Sequence, residues 1–236
     1  MKISTLLFVM LLCVIVPAFS QVSLGIRSGY TASNMHISGE APGGFGSTGG
    51  SETLHGWHLE LLLNVPVVAG FYLQPGFRYV TKGAALDETF DIKTELSGVY
   101  IPRGSALRLN YFEMPLNIVY KRPLWKGRAT LGVGPYLARG LNGRYSYNIV
   151  QNGNTVTKHI KDVQFSRRHN DNLAVLRMYP WDAGANFAIG YEFDNYLMLG
   201  ANYSLGLTDN DRSGFTESRN RYVGISVGVL FNREDY

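Results

Sequence analysis

The sequence predicts an all-β fold, an eight-stranded antiparallel transmembrane up-and-down β-barrel, and two observations predict it. One is a period-2 pattern in which an apolar set of side chains alternates with a small or polar set. The other is a regular alternation of short and long connections between the patterned segments. Successive side chains of a strand point to opposite faces, so each such segment has one greasy side and one small or polar side. A barrel in a bacterial outer membrane turns the apolar set to lipid and lines a narrow interior with the other. A soluble sandwich also alternates, but its core face rarely carries so many glycines.

Taken in order, the first segment runs from Val22 to Ala32, with Val22, Leu24, Ile26 and Tyr30 outward and Ser23, Gly25, Arg27 and Gly29 inward. The second, about 57–65, turns Trp57, Leu59, Leu61, Leu63 and Val65 outward and His58, Glu60 and Asn64 inward. The third, about 70–82, places Phe71, Leu73, Phe77 and Tyr79 outside and Tyr72, Gln74, Gly76 and Arg78 inside. In the fourth, about 109–121, Phe112, Met114, Leu116, Ile118 and Tyr120 face out and Glu113 and Asn117 face in. Leu107 and Leu109 fall out of phase with that apolar set, which predicts a bulge near Asn110 or Tyr111. The fifth and sixth span about 128–144 and 181–193.

The seventh, 196–208, is the clearest: Leu197, Leu199, Ala201, Tyr203, Leu205 and Leu207 against Met198, Gly200, Asn202, Ser204 and Gly206. The last repeats it, with Val223, Ile225, Val227, Val229 and Phe231 against Tyr222, Gly224, Ser226 and Gly228. Connections at 66–69, 122–127 and 194–195 are short; those at about 33–56, 83–106, 145–180 and 208–221 are long. Tight turns at one end and long loops at the other put both termini on the periplasmic side and require an even strand number.

Residues 1–20 read as a cleaved signal peptide, leaving one domain over 21–236. Lys2 is the positive n-region, Leu6 to Val16 the apolar stretch, and Ala18-Phe-Ser20 the cleavage site. Cleavage takes with it Cys13, the single cysteine of the 236 residues, so no disulfide or thiolate site remains. No later stretch reaches the 18 apolar residues of a helical span. A formal net charge of +4, scattered along the chain, argues against nucleic acid as a partner. The 15 Tyr and 12 Phe suit a protein that presents rings to both membrane interfaces. The expected location is the cell outer membrane.

Eight strands enclose a space that side chains fill. Inward charges of both signs, Arg27, Glu60, Arg78, Glu113, Arg128 and Glu192, must then be paired or wetted. They are expected to form a structural ladder of salt bridges that plugs the barrel.

Phe71-Tyr-Leu-Gln-Pro-Gly-Phe-Arg-Tyr-Val-Thr-Lys-Gly83 and Tyr111-Phe-Glu-Met-Pro-Leu-Asn-Ile-Val-Tyr120 resemble the PorT-like outer-membrane β-barrel family of Bacteroidetes. Gly134-Pro-Tyr-Leu137, residues Asp182 to Glu192, and Asn202-Tyr-Ser-Leu-Gly-Leu207 agree with it. The resemblance spans Leu24 to Phe231 and implies an eight-stranded barrel in a Gram-negative outer membrane. One branch of that family is associated with type IX secretion and gliding, and no catalytic set is carried over. The chain departs from the family in its long basic central loop, with Lys158, Lys161, Arg167, Arg168 and Arg177, and in the five residues after Phe231.

Other constellations are weak. Asp209-Asn-Asp-Arg-Ser-Gly214 starts like an EF-hand loop, but Asn220 stands where the bidentate Glu belongs, so a polar hairpin tip is expected. Histidines 36, 55, 58, 159 and 169 lack ligand spacing. The glycine-rich 39–50 lacks the ending of a phosphate cradle. Neither a metal nor a cofactor is expected. Two function classes follow. One is a non-enzymatic envelope or secretion component that contacts outer-membrane lipid and takes a protein or lipopolysaccharide partner through its loops. The other is a small barrel enzyme or lipid-binding protein with its site at the extracellular rim, from parts such as Asp182, His169, Asp171 and Ser166.

Overall fold

Alternating hydropathy has one low-energy outcome in a membrane: every backbone N–H and C=O pairs with a neighbouring strand, and the sheet closes so that no edge faces lipid. The computed structural model shows this closure, and it describes residues 22–41, 45–46, 51–86, 101–151, 154–167, 176–211 and 216–231. Among the described residues, twelve strands follow in chain order. They are β1 (Ser23–Ala41), β2 (Phe45–Gly46), β3 (Leu54–Val68), β4 (Phe71–Leu86), β5 (Ile101–Pro123), β6 (Gly127–Gln151), β7 (Asn154–Asp162), β8 (Gln164–Phe165), β9 (Arg177–Met178), β10 (Trp181–Phe193), β11 (Leu197–Gly206) and β12 (Thr216–Phe231).

Eight of them make the barrel. The order β1-β3-β4-β5-β6 continues to β10 through a β6–β10 ladder, then to β11 and β12. The first and last strands close the ring, paired from Leu24↔Phe231 to Gly39↔Thr216. All of these ladders are antiparallel. β2 pairs with β1, β7 extends a hairpin with β6 beyond the ring, and β8 and β9 form a small parallel pair.

The facing assignments hold strand by strand. Leu199, Val227, Leu61 and Ile118 are exposed on the outside, while Met198, Asn202, Tyr222 and Asn117 are buried within. One end carries the tight turns at 69–70 and 194–196, together with both described chain ends. Gly70 sits in the first of these turns with φ of 81°, a backbone conformation that glycine adopts without steric cost.

Two expectations need correction. Strand reaches into the connections expected at about 33–56, 83–106 and 208–221: β1 continues to Ala41, β4 to Leu86, β5 begins at Ile101 and β12 at Thr216. The region 145–180 likewise contains the rest of β6 and all of β7, β8 and β9. Ladder hydrogen bonds do not depend on side chains, so the strands outrun the lipid band; there the outer face meets water while Met35, Ala84 and Leu107 stay buried inside, and the apolar-outward pattern that marks a lipid-facing strand is lost. The bulge expected near Asn110 or Tyr111 is found at that level, but on the neighbouring strand and not through a change of phase in β5. β5 alternates without interruption through Leu107, Leu109, Tyr111 and Glu113, all buried inside. The register does shift at Asn110/Tyr111, but the extra residue, Leu141, lies on β6 between the partners Gly140 and Asn142.

The interior is layered. At the loop end an apolar cluster includes Met35, Leu107, Leu109, Tyr111, Val163 and Met178, and at the turn end a smaller one joins Leu62, Met198 and Leu230. Charge fills the space between and around them.

Candidate functional site

β1, β3, β4 and β5 lie side by side, and their registers place Arg27 opposite Glu60, Glu60 opposite Arg78, and Arg78 opposite Glu113. Opposite charges on directly paired inward positions are the favourable cross-strand arrangement. The contacts follow. Arg27 Nε donates to Glu60 Oε2 at 2.7 Å, and Arg78 approaches the same oxygen at 2.8 Å. Arg78 also reaches Glu113 Oε1 at 3.0 Å, and Lys82 bridges Glu113 Oε2 at 2.7 Å to Asp182 Oδ2 at 3.0 Å. The result is a continuous chain Arg27–Glu60–Arg78–Glu113–Lys82–Asp182 with equal numbers of each sign. A charge-balanced, mutually paired chain is the arrangement in which burying ions costs least.

Neutral groups complete it. The Tyr222 hydroxyl donates to Glu113 Oε1 at 2.8 Å and accepts from Arg78. The Lys82 ammonium lies 4.4 Å from the Tyr136 ring centroid and within 5.3 Å of those of Tyr111 and Tyr222, a cation–π cage around a buried charge. Asp182 accepts from Thr208 and Asn220, both at 3.1 Å. Nearer the turn end, Lys121 pairs with Glu192 at 2.5 Å over the Tyr72 ring. Amides fill the levels between: Gln74 donates to Asn64 at 2.7 Å, and Asn186 donates to Asn117 at 3.1 Å.

Of the six inward charges singled out in the sequence, the structure joins Arg27, Glu60, Arg78 and Glu113 directly. Arg128 and Glu192 are Cα partners on β6 and β10, yet the Glu192 carboxylate turns to Lys121. Arg128, half-buried, makes no ion pair among the described residues. Lys82, Lys121 and Asp182 are the members that sequence reasoning missed. Each shares the inward parity of its strand, Lys82 with Arg78, Lys121 with Asn117 and Asp182 with Glu192. Their position near segment ends hid them, and Asp182 drew attention only as a candidate rim acid.

The mouth at the loop end is covered from within. Phe165 of β8 packs edge-on against Tyr111, ring centroids 5.7 Å apart, and over Gly140, where a Cβ would collide with the ring. Val163 and Met178 are buried in the same cluster. An internal cavity near Arg27, Gln74, Glu192 and Met198 has a volume of about 30 Å³, room for one or two waters.

The other constellations resolve as follows. His55 is exposed and hydrogen-bonded to Tyr30, while His58 is buried, so the two face opposite sides of β3. Asp209 Oδ1 accepts from the backbone of Asp211 at 3.0 Å and of Ser218 at 2.9 Å, tying the base of a hairpin tip. Residues 212–215, His169 and Asp171 lie outside the described residues, as does the segment 1–20. Among the described residues, no three His, Cys, Asp or Glu side chains group as a metal site requires.

Comparison with known proteins is consistent with this architecture. The family described as outer membrane protein beta-barrel domain matches residues 19–212. The chain belongs to the outer membrane protein beta-barrel domain family. No curated protein matches it closely enough to count as a relative. Among solved structures, the attachment invasion locus protein Ail of Yersinia pestis is 11% identical over 89% of this chain and 99% of that one, with a TM-score of 0.41. Neisserial surface protein A is 10% identical over 88% and 97%, with a TM-score of 0.42. The toluene transporter TodX of P. putida is 8% identical over 92% and 91%, with a TM-score of 0.33. As an outer-membrane barrel, the chain sits in lipid.

Proposed function

We propose that this barrel is a non-enzymatic scaffold that presents its extracellular surface to a partner, and that it does not conduct solutes. The observation that carries the reading is the filled interior: a six-member charged chain below an apolar cover, beside a cavity of only about 30 Å³ among the described residues. A channel needs polar walls around connected water, and eight strands leave little room for it. The rim-enzyme alternative loses support from Asp182, whose carboxylate is buried and held by Lys82, Tyr136, Thr208 and Asn220.

The PorT-like motifs, which lie on β4, β5, β6, β10 and β11, make a secretion or envelope assembly the favoured setting, with the β6–β7 hairpin as the exposed element for a protein partner. Planar-bilayer recording of the purified protein tests the closed scaffold. We expect silence; a reproducible open channel in the unmodified protein overturns the reading. For the secretion setting, a deletion strain should lose a class of exported proteins while its envelope permeability is unchanged; unaltered export refutes it.

A further inference from the structure

Charge on the outer wall is sorted differently from charge inside. The inward chain is balanced, whereas the outward charges at and above the extracellular edge of the apolar band are mostly arginines. Arg139 of β6 stands in register between Phe112 and Trp181, its guanidinium 5.6 Å from the Trp181 ring centroid. Aromatic rings mark the membrane interface, so this arginine lies at headgroup depth. On β12, Arg221 is one outward step beyond the exposed Val223, and Arg219 is one step further. The Nε of Arg221 is sealed from solvent and has no partner. Its register neighbours are Asn34 and Leu205, neither of them acidic.

Higher on the wall, Arg108 and Arg144 are directly paired and exposed. Acidic side chains on this surface include Glu217, 3.1 Å from Arg219, and Asp162, in register with Arg144. Like charges on paired positions are unfavourable unless an anion lies between them.

We propose that Arg219 and Arg221 on β12, and Arg139 three strands away on β6, are separate docking points on the wall for the phosphate groups of lipid A in the outer leaflet. This rests on the outer-membrane placement and assigns the lipid contact to the wall instead of the extracellular hairpin. The methylene stems lie along the apolar wall while the guanidinium groups reach the headgroups, and the planar fork donates parallel N–H bonds to phosphate oxygens. A basic side chain beside an anionic lipid surface contributes about a fivefold preference.

The test uses the full folded chain in phosphatidylcholine vesicles containing a small fraction of fluorophore-labelled lipid A or of its dephosphorylated form. Energy transfer from the wall tryptophans Trp57 and Trp181 reports enrichment, compared between the two lipids within each variant. The parent should favour the phosphorylated lipid. The triple change Arg139→Gln, Arg219→Gln and Arg221→Gln should lose about fivefold per arginine and fall to the bulk level. The pair Lys158→Gln and Lys161→Gln on the hairpin should keep the parent's preference. Equal transfer from both lipids in the folded parent overturns the proposal, and so does loss of preference on the hairpin changes instead of the wall changes. A parent that inserts into no vesicle removes the membrane reading beneath it.

Discussion

Replacing Glu113 with Gln tests the interior chain at its centre. The Glu113 carboxylate is fully buried and serves three partners: Arg78 at 3.0 Å, Lys82 at 2.7 Å and the Tyr222 hydroxyl at 2.8 Å. The amide keeps the shape but removes one negative charge, leaving a buried surplus of one positive charge. It also offers an N–H where Glu113 offered an acceptor. Breaking a buried ion pair by removing one member costs about 3–5 kcal/mol. Glu60 still holds Arg78 and Asp182 still holds Lys82, so the cost should sit near the lower end, about 3 kcal/mol.

Urea unfolding of the barrel in lipid vesicles measures this. The partner change Lys82→Gln restores charge balance, so the double variant should be less damaged than the sum of the singles, by about 1–3 kcal/mol of coupling. Neither single variant should conduct, because the cover and the filled wall remain. A loss below about 1 kcal/mol for Glu113→Gln, or strict additivity with Lys82→Gln, would refute the idea that these side chains act as one neutral chain.

Other outcomes follow from the same geometry. Leu199→Arg and Val227→Arg, at paired outward positions, should each lower folding stability in vesicles by about 2–4 kcal/mol, and parent-like stability would mean the facing is wrong. Arg128→Gln should change stability by less than about 0.5 kcal/mol, whereas Lys121→Gln, which strips Glu192 of its partner, should cost about 3 kcal/mol in the same assay. Gly140→Leu should evict Phe165 from the mouth and expose the segment around Arg167 to trypsin without unfolding the ring. Unchanged protection would show that the cover does not depend on that contact.

Alternation is a local property, so the sequence by itself determined the barrel, its strand count and the facing of its side chains. Leu197 and Met198 are adjacent and must point to opposite sides whatever surrounds them. Parity also contained more than was read from it. Lys82 and Lys121 carry the inward parity of Arg78 and Asn117, and Leu107 and Leu109 that of Glu113. What parity lacks is depth and partner. Whether Glu192 meets Arg128 or Lys121 depends on where two long cationic side chains reach across the interior, and register alone favoured the wrong one. Strand ends beyond the lipid were invisible because their outer face meets water and their inner face is apolar, as at Met35 and Leu107, which reverses the pattern that lipid imposes. The cover is tertiary altogether: Val163, Phe165 and Met178 turn inward because the barrel mouth, lined by Tyr111, Gly140 and Leu109, leaves an apolar space that only another part of the chain can fill.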